Sequence, residues 1–131
     1  MNYSALFDQN LCIRPKLRAG RESNSKLLQQ MAEHQSTHSR TLSYLAKHPF
    51  PPVRIAVSHN PNISPELICV LAQDNNPDVR YAVAENPRVP IEILKTLIDD
   101  KNLFVSARAL TTMKRIETVL QDKFRAQMIA C

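Results

Sequence analysis

From residue 27 onward, apolar residues come in short stripes of helical spacing, each cut off by a polar turn. Val79, Ala82 and Val83 lie within one turn of each other and predict a short helix beginning near Asp78. Asn86-Pro87 ends it, because Asn favours caps and turns. Pro can neither continue the helix nor leave the residue before it comfortably α-helical. A second kind of segment starts at Ile63-Ser64-Pro65-Glu66. Ser64 is suited to the N-cap, Pro65 to the first helical position and Glu66 to the positive end of the helix dipole. Leu67, Ile68 and Leu71 form its inner stripe. In the next such segment Pro90 stands one place earlier, at the cap position itself.

These paired segments recur. Val53-Arg54-Ile55-Ala56-Val57 returns as Val79-Arg80-Tyr81-Ala82-Val83, Asn60-Pro61 as Asn86-Pro87, and Glu66-Leu67-Ile68 as Glu92-Ile93-Leu94, always 26 residues later. Leu71 and Leu97, Asp74 and Asp100, and Asn76 and Asn102 keep the same register, so ten of 26 aligned positions are identical. Weaker copies flank these two. Leu42, Leu45 and Ala46 fall on Ile68, Leu71 and Ala72, and Leu27 and Met31 on Val53 and Val57. Downstream, Val105 falls on Val79, Ala109 on Val83, and Val119-Leu120 on Ile93-Leu94. Four units therefore tile approximately 27–52, 53–78, 79–104 and 105–130, the outer two degenerate as capping repeats are. Helices of two or three turns do not hold alone in water, so the units must stack to bury their stripes. In the fourth unit Ser106 replaces the repeated arginine and Arg108 stands where Ala56 and Ala82 do; either the register slips there or the stack ends.

The run from Asn76 to Leu94, with its Val-Arg helix, Asn-Pro stop and Pro-Glu-Leu-type start, resembles the leucine-rich repeat variant (LRV) family, akin to HEAT-type helical repeats. Pro52 to Leu71 resembles it equally. The resemblance implies an all-α fold: a right-handed α-solenoid of about four 26-residue units, each an α-helix followed by a short 3-10-like helix. The family's founding type also carries an iron–sulfur cluster held by clustered N-terminal cysteines. Here Cys12 stands alone in the first 68 residues, so that cluster is not expected.

Residues 1–26 precede the repeats. Tyr3, Leu6, Phe7 and Leu11 follow helical spacing and predict a small helix that covers the exposed end of the stack. Arg14 to Lys26 holds five basic residues and one acid, and reads as a mobile basic arm. The chain has 131 residues and a net charge of +5. Residues 1–54 carry +5, 55–104 carry −3 and 105–131 carry +3, which leaves the ends basic and the middle acidic. One glycine against nine prolines removes the usual form of phosphate-cradling loops and dinucleotide fingerprints. Cys12, Cys69 and Cys131 are odd in number and far apart, which points to reduced thiols in a cytoplasm. No apolar run approaches the roughly 20 residues of a membrane span.

Candidate chemistry is sparse. Arg54 and Arg80 share a register position, so they would stack as a ladder. Their forked guanidinium groups could engage a partner's carboxylates or phosphates, or pair with loop carboxylates such as Asp74 or Asp78 and tie adjacent units together. His34 and His38 have the spacing of a two-histidine metal pair but no third ligand at matching spacing, and no metal site is expected. His48 and His59 read as loop residues equivalent to Asp74 and Glu85, and Cys69 as a small core residue on an apolar helix face. Asp74 and Asp99-Asp100 read as turn and cap residues. No catalytic residue, cofactor or nucleophile motif is expected. The expectation is a non-catalytic protein-binding adaptor or regulatory module, with Arg54, Arg80, Tyr81 and Arg88 on the binding face and Arg14, Lys16, Arg18 and Arg21 as an accessory contact. The alternative is binding to a nucleic-acid backbone through the basic arm and the repeat arginines. An enzyme resembling the helical-repeat DNA glycosylases is disfavoured by the lack of Trp and of an isolated pocket carboxylate.

Overall fold

A computed structural model describes residues 17–130, whose regular structure is entirely helical. Its elements are α1 (Leu17–Glu33), α2 (Ser39–Leu45), α3 (Pro51–Ser58), α4 (Pro65–Ala72), α5 (Pro77–Glu85), α6 (Ile91–Ile98) and α7 (Leu103–Ala130). Helix α1 packs on α3, α3 on α5 and α5 on α7, while α4 packs on α6. Each of α2, α4 and α6 also lies against the helix that follows it. The core between them is aliphatic. Leu42, Leu45, Val53, Val57, Leu71, Val79, Val83, Leu94 and Val105 are all fully buried.

Local chemistry sets the helix ends. Ser64 Oγ accepts a hydrogen bond from Leu67 N at 3.2 Å, and Pro65 and Glu66 follow in the first turn of α4. Asn76 caps α5 by accepting from Asp78 N at 2.8 Å, with Pro77 next. Asn102 does the same for α7, accepting from Phe104 N at 2.9 Å. Helix α6 has Pro90 at its N-cap, which has no side chain able to cap it. Helix α5 stops at Glu85, with Asn86 as its C-cap. No described residue has a positive φ, so these joints need no glycine.

Four expectations change. The second element of each central unit is an α-helix, not a 3-10 segment: Ile68 N bonds to Ser64 O at 3.1 Å and Leu94 N to Pro90 O at 3.2 Å, the i to i+4 pattern. The expected unit over 105–130 is no helix pair, because α7 runs unbroken for 28 residues. Thr112-Met113 occupies the register of Asn60-Pro61 and Asn86-Pro87, so nothing there stops the helix. The basic run expected as a mobile arm is helical from Leu17 onward, and α1 passes through the expected boundary at residue 26. Cys69 is exposed instead of buried, since α4 turns Ile68 and Leu71 inward and leaves residue 69 on another face. No helix among the described residues is long and apolar enough to cross a membrane.

Candidate functional site

The two repeat arginines are built into the scaffold. Arg54, on α3, donates from Nε and Nη2 to the Asp74 carboxylate at 2.7 and 2.9 Å. From Nη1 it donates to the carbonyls of His48 and Pro49 at 2.7 and 3.2 Å. Arg80, on α5, repeats this set 26 residues later. It holds the Asp100 carboxylate at 2.7 and 3.1 Å and the carbonyls of Asp74 and Asn75 at 2.7 and 3.3 Å. Each guanidinium thus closes its own unit through a carboxylate 20 residues ahead and grips the loop of the unit before through two carbonyls. Asp74 serves both, with its carboxylate on Arg54 and its carbonyl on Arg80. Among the described residues Asp78, the other expected partner, pairs with no arginine. In the fourth register Ser106 donates to the Ile98 carbonyl and the series ends.

Electrostatics follow from that geometry. The hydrogen bond from Arg80 holds the Asp100 carboxyl below its ordinary value against the opposing effect of burial, and the same bond raises Arg80. Asp74 and Asp100 also accept from the backbone N–H of Asn76 and Asn102, at 2.9 and 2.8 Å. His48 takes their place in the preceding register: its Nδ1 accepts from Phe50 N at 3.2 Å. Burial first, and the neighbouring Arg54 charge second, lower its pKa, which suits an imidazole used as an acceptor.

A second polar row is made by asparagines. The Asn60 amide donates to the carbonyls of Ala32 and His34, the latter at 2.9 Å, and that of Asn86 donates to the Ser58 carbonyl at 2.9 Å. Their Oδ1 atoms accept from Asn62 N and Arg88 N at 2.7 and 2.9 Å. The Asn-Pro stops therefore also satisfy the last carbonyls of the helix before. His34 is occupied locally, with Nδ1 2.8 Å from Ser36 Oγ. Among the described residues no group of three or more His, Cys, Asp or Glu side chains gathers as metal ligands.

Tyr81 is half-buried and lies under the Arg108 guanidinium, whose carbon is 5.6 Å from the ring centroid. Arg108 also pairs with Glu85, which explains how a charged residue occupies an alanine register: it reaches sideways to α5. Arg88 is exposed and donates to the Pro61 carbonyl at 3.3 Å. The structure thus brings Arg54 and Arg80 into one polar framework and leaves Tyr81 and Arg88 apart from it. Arg18 and Arg21 fall on the first turns of α1, while Arg14 and Lys16 lie outside the described residues.

An exposed apolar surface lies elsewhere, on α7. In the first half of α7, Val105, Ala109 and Thr112 are buried against the body. The same helical stripe continues through Ile116, Val119, Leu120, Phe124 and Met128. There Val119, Leu120, Phe124 and Met128 are exposed. Where this half leaves the body, Glu85, Pro87, Arg115, Ile116, Val119 and Leu120 line a cleft of about 400 Å³. Sequence reasoning placed Val119-Leu120 in a buried register, equivalent to Ile93-Leu94. The signal against it was the missing Asn-Pro at 112–113, which extends α7 past its neighbours. No known family model, curated protein or solved structure matches this chain.

Proposed function

We propose that the chain is an α-solenoid of the leucine-rich-repeat-variant kind that acts as a non-catalytic protein-binding module. Its binding surface is the apolar face of the distal half of α7 together with the cleft at its base. Support for the solenoid comes from the helix pairs and from bond sets repeated at 26-residue spacing. The observation that carries the function is the unbroken apolar stripe of α7, buried up to Thr112 and bare from Val119 onward. A row of apolar side chains at helical spacing beside a cleft is the usual receptor for the apolar side of an amphipathic helix. Arg115 lines the cleft and Lys123 stands beside the stripe, so the fitting partner is a helix flanked by carboxylates. In this reading Arg54 and Arg80 fix the loops, and Arg88 remains an exposed accessory contact.

Replacing Leu120 and Phe124 together by Asp tests this. Both side chains are exposed, so stability should stay within about 0.5 kcal/mol of the parent. Affinity capture with the parent chain should retain a partner containing an acidic amphipathic helix, and a synthetic peptide of that helix should bind the parent and not the double variant. Capture of no such partner, or equal binding by the two proteins, defeats the proposal. The nucleic-acid reading has less support. Arg54 and Arg80 each spend four hydrogen bonds within the chain, which leaves it to Arg14, Lys16, Arg18 and Arg21.

A further inference from the structure

Arg88 holds half of an arrangement that the scaffold arginines complete. Arg54 and Arg80 each give Nη1 to backbone carbonyls and turn the Nε and Nη2 edge onto a carboxylate. Arg88 likewise gives Nη1 to the Pro61 carbonyl, as Asn62, 26 residues earlier, gives Nδ2 to that of Gln35. Among the described residues its Nε and Nη2 make no hydrogen bond, and the side chain is exposed. Arg88 stands in a groove of about 360 Å³ with His59, Asn60, Pro61 and Asn86. Glu85 and Pro87 line both this groove and the cleft at the base of the distal half of α7, so the two are continuous. Glu85, at the junction, has its charge met by Arg108, whereas Arg115 in the cleft pairs with no carboxylate among the described residues. The passage from cleft to groove is therefore flanked by two guanidinium groups with donors to spare.

We infer that the partner's helix lies antiparallel to the distal half of α7 and continues, past its carboxyl end, as an extended acidic tail that crosses the Pro87 turn and places a carboxylate on Arg88. This rests on the binding surface proposed for α7 and adds the partner's direction and a second anchor. Helix α7 runs outward from the body, so an antiparallel helix ends at the cleft. There the partial negative charge of its carboxyl terminus meets Arg115. Reach sets where the acid must stand. Neighbouring helices of one layer are about 8–10 Å apart, and an extended chain covers about 3.3 Å per residue. About three tail residues therefore lead from the α7 cleft to the groove beside α3. A carboxylate in the third or fourth tail position can then take the Nε and Nη2 edge of Arg88 in the forked geometry that Asp74 and Asp100 show on their arginines.

The test uses the full chain and a displayed library of amphipathic helices of about 16 residues, each followed by about six randomised residues. Selection on the parent chain should enrich tails with Asp or Glu in the third or fourth position. Removing the tail of a selected peptide, or changing that acid to its amide, should weaken binding to the parent about fivefold or more, and by less in about 0.5 M salt. Arg88→Ala should bind tailed and tail-less peptides equally, and the tail-less helix as tightly as the parent does. Selected helices whose tails show no acidic preference, or a tail that matters as much to Arg88→Ala as to the parent, overturn the inference and leave the α7 surface standing. Weaker binding of the tail-less helix by Arg88→Ala overturns it too, because Arg88 would then serve the helix itself. Enrichment of no helix, or of helices that bind equally well when Leu120 and Phe124 are both Asp, overturns the α7 surface and the tail with it.

Discussion

At the scale of single residues, the arginine–aspartate pairs carry the most consequence. Arg80 and Asp100 have side chains only 7% and 8% exposed. Removing the cation strands a buried carboxylate, so Arg80→Ala should destabilise the fold by about 3–5 kcal/mol, measured by urea unfolding. Arg54→Ala should cost less, because its pair with Asp74 is more open at 14% and 12%. Asn60→Ala removes a buried amide that holds two helix-end carbonyls and should cost about 1–3 kcal/mol. Acid should weaken the fold in two stages. His48 has a folded-state pKa below its ordinary 6.5, so its contribution is full above that value and declines as pH falls beneath it. Asp100 is likewise depressed below 3.8, so the Arg80 pair keeps its full contribution above that value and loses it as pH drops through the lower folded-state pKa. Unfolding free energies followed from pH 7.5 down to 2.5 should show both declines. His48→Gln should lack the upper one and Asp100→Asn the lower.

At the scale of elements, the helix boundaries were written in the sequence wherever a local rule governs them. Ser64-Pro65-Glu66 and Asn86-Pro87 act at their own positions, and α4 and α5 begin and end there. The second segments were readable as helices, but their α character depends on bonds such as Ile68 N to Ser64 O that no residue type dictates. The fate of residues 105–130 was harder to see, because the apolar register continued after its punctuation had gone. Val119 and Leu120 look like core by periodicity and lie in the open because α7 runs on to Ala130 without a turn that would fold a partner helix onto them. The arginine ladder was visible, and of its two readings the geometry shows pairing with loop carboxylates, with Asp100 in place of Asp78. Restoring the missing signal with Thr112→Asn and Met113→Pro should break α7. A proline there removes an internal helix bond and costs about 3 kcal/mol or more, and circular dichroism should register the lost helix. The same proline placed at Gln127, in the last turn of α7, should cost far less, since the side chains of residues 117–130 are exposed.

At the scale of the molecule, the helices rely on one another more than on their own propensities. Helices of seven to nine residues persist because each buries two or more aliphatic side chains against a neighbour. The Arg54–Asp74–Arg80–Asp100 series adds a polar connection along the same direction. Because Asp74 is held by both arginines, the energetic effects of Arg54→Ala and Arg80→Ala should not add, and a double-mutant cycle should show a coupling of about 0.5 kcal/mol or more. The series ends at Asp100, where Ser106 stands in the arginine register. The molecule should therefore come apart unevenly. Residues 51–100 should open as one cooperative block, whereas the distal turns of α7 should fray with their own smaller opening energy. Evolution could then lengthen, shorten or repaint that end of the chain while the block behind it keeps its stability.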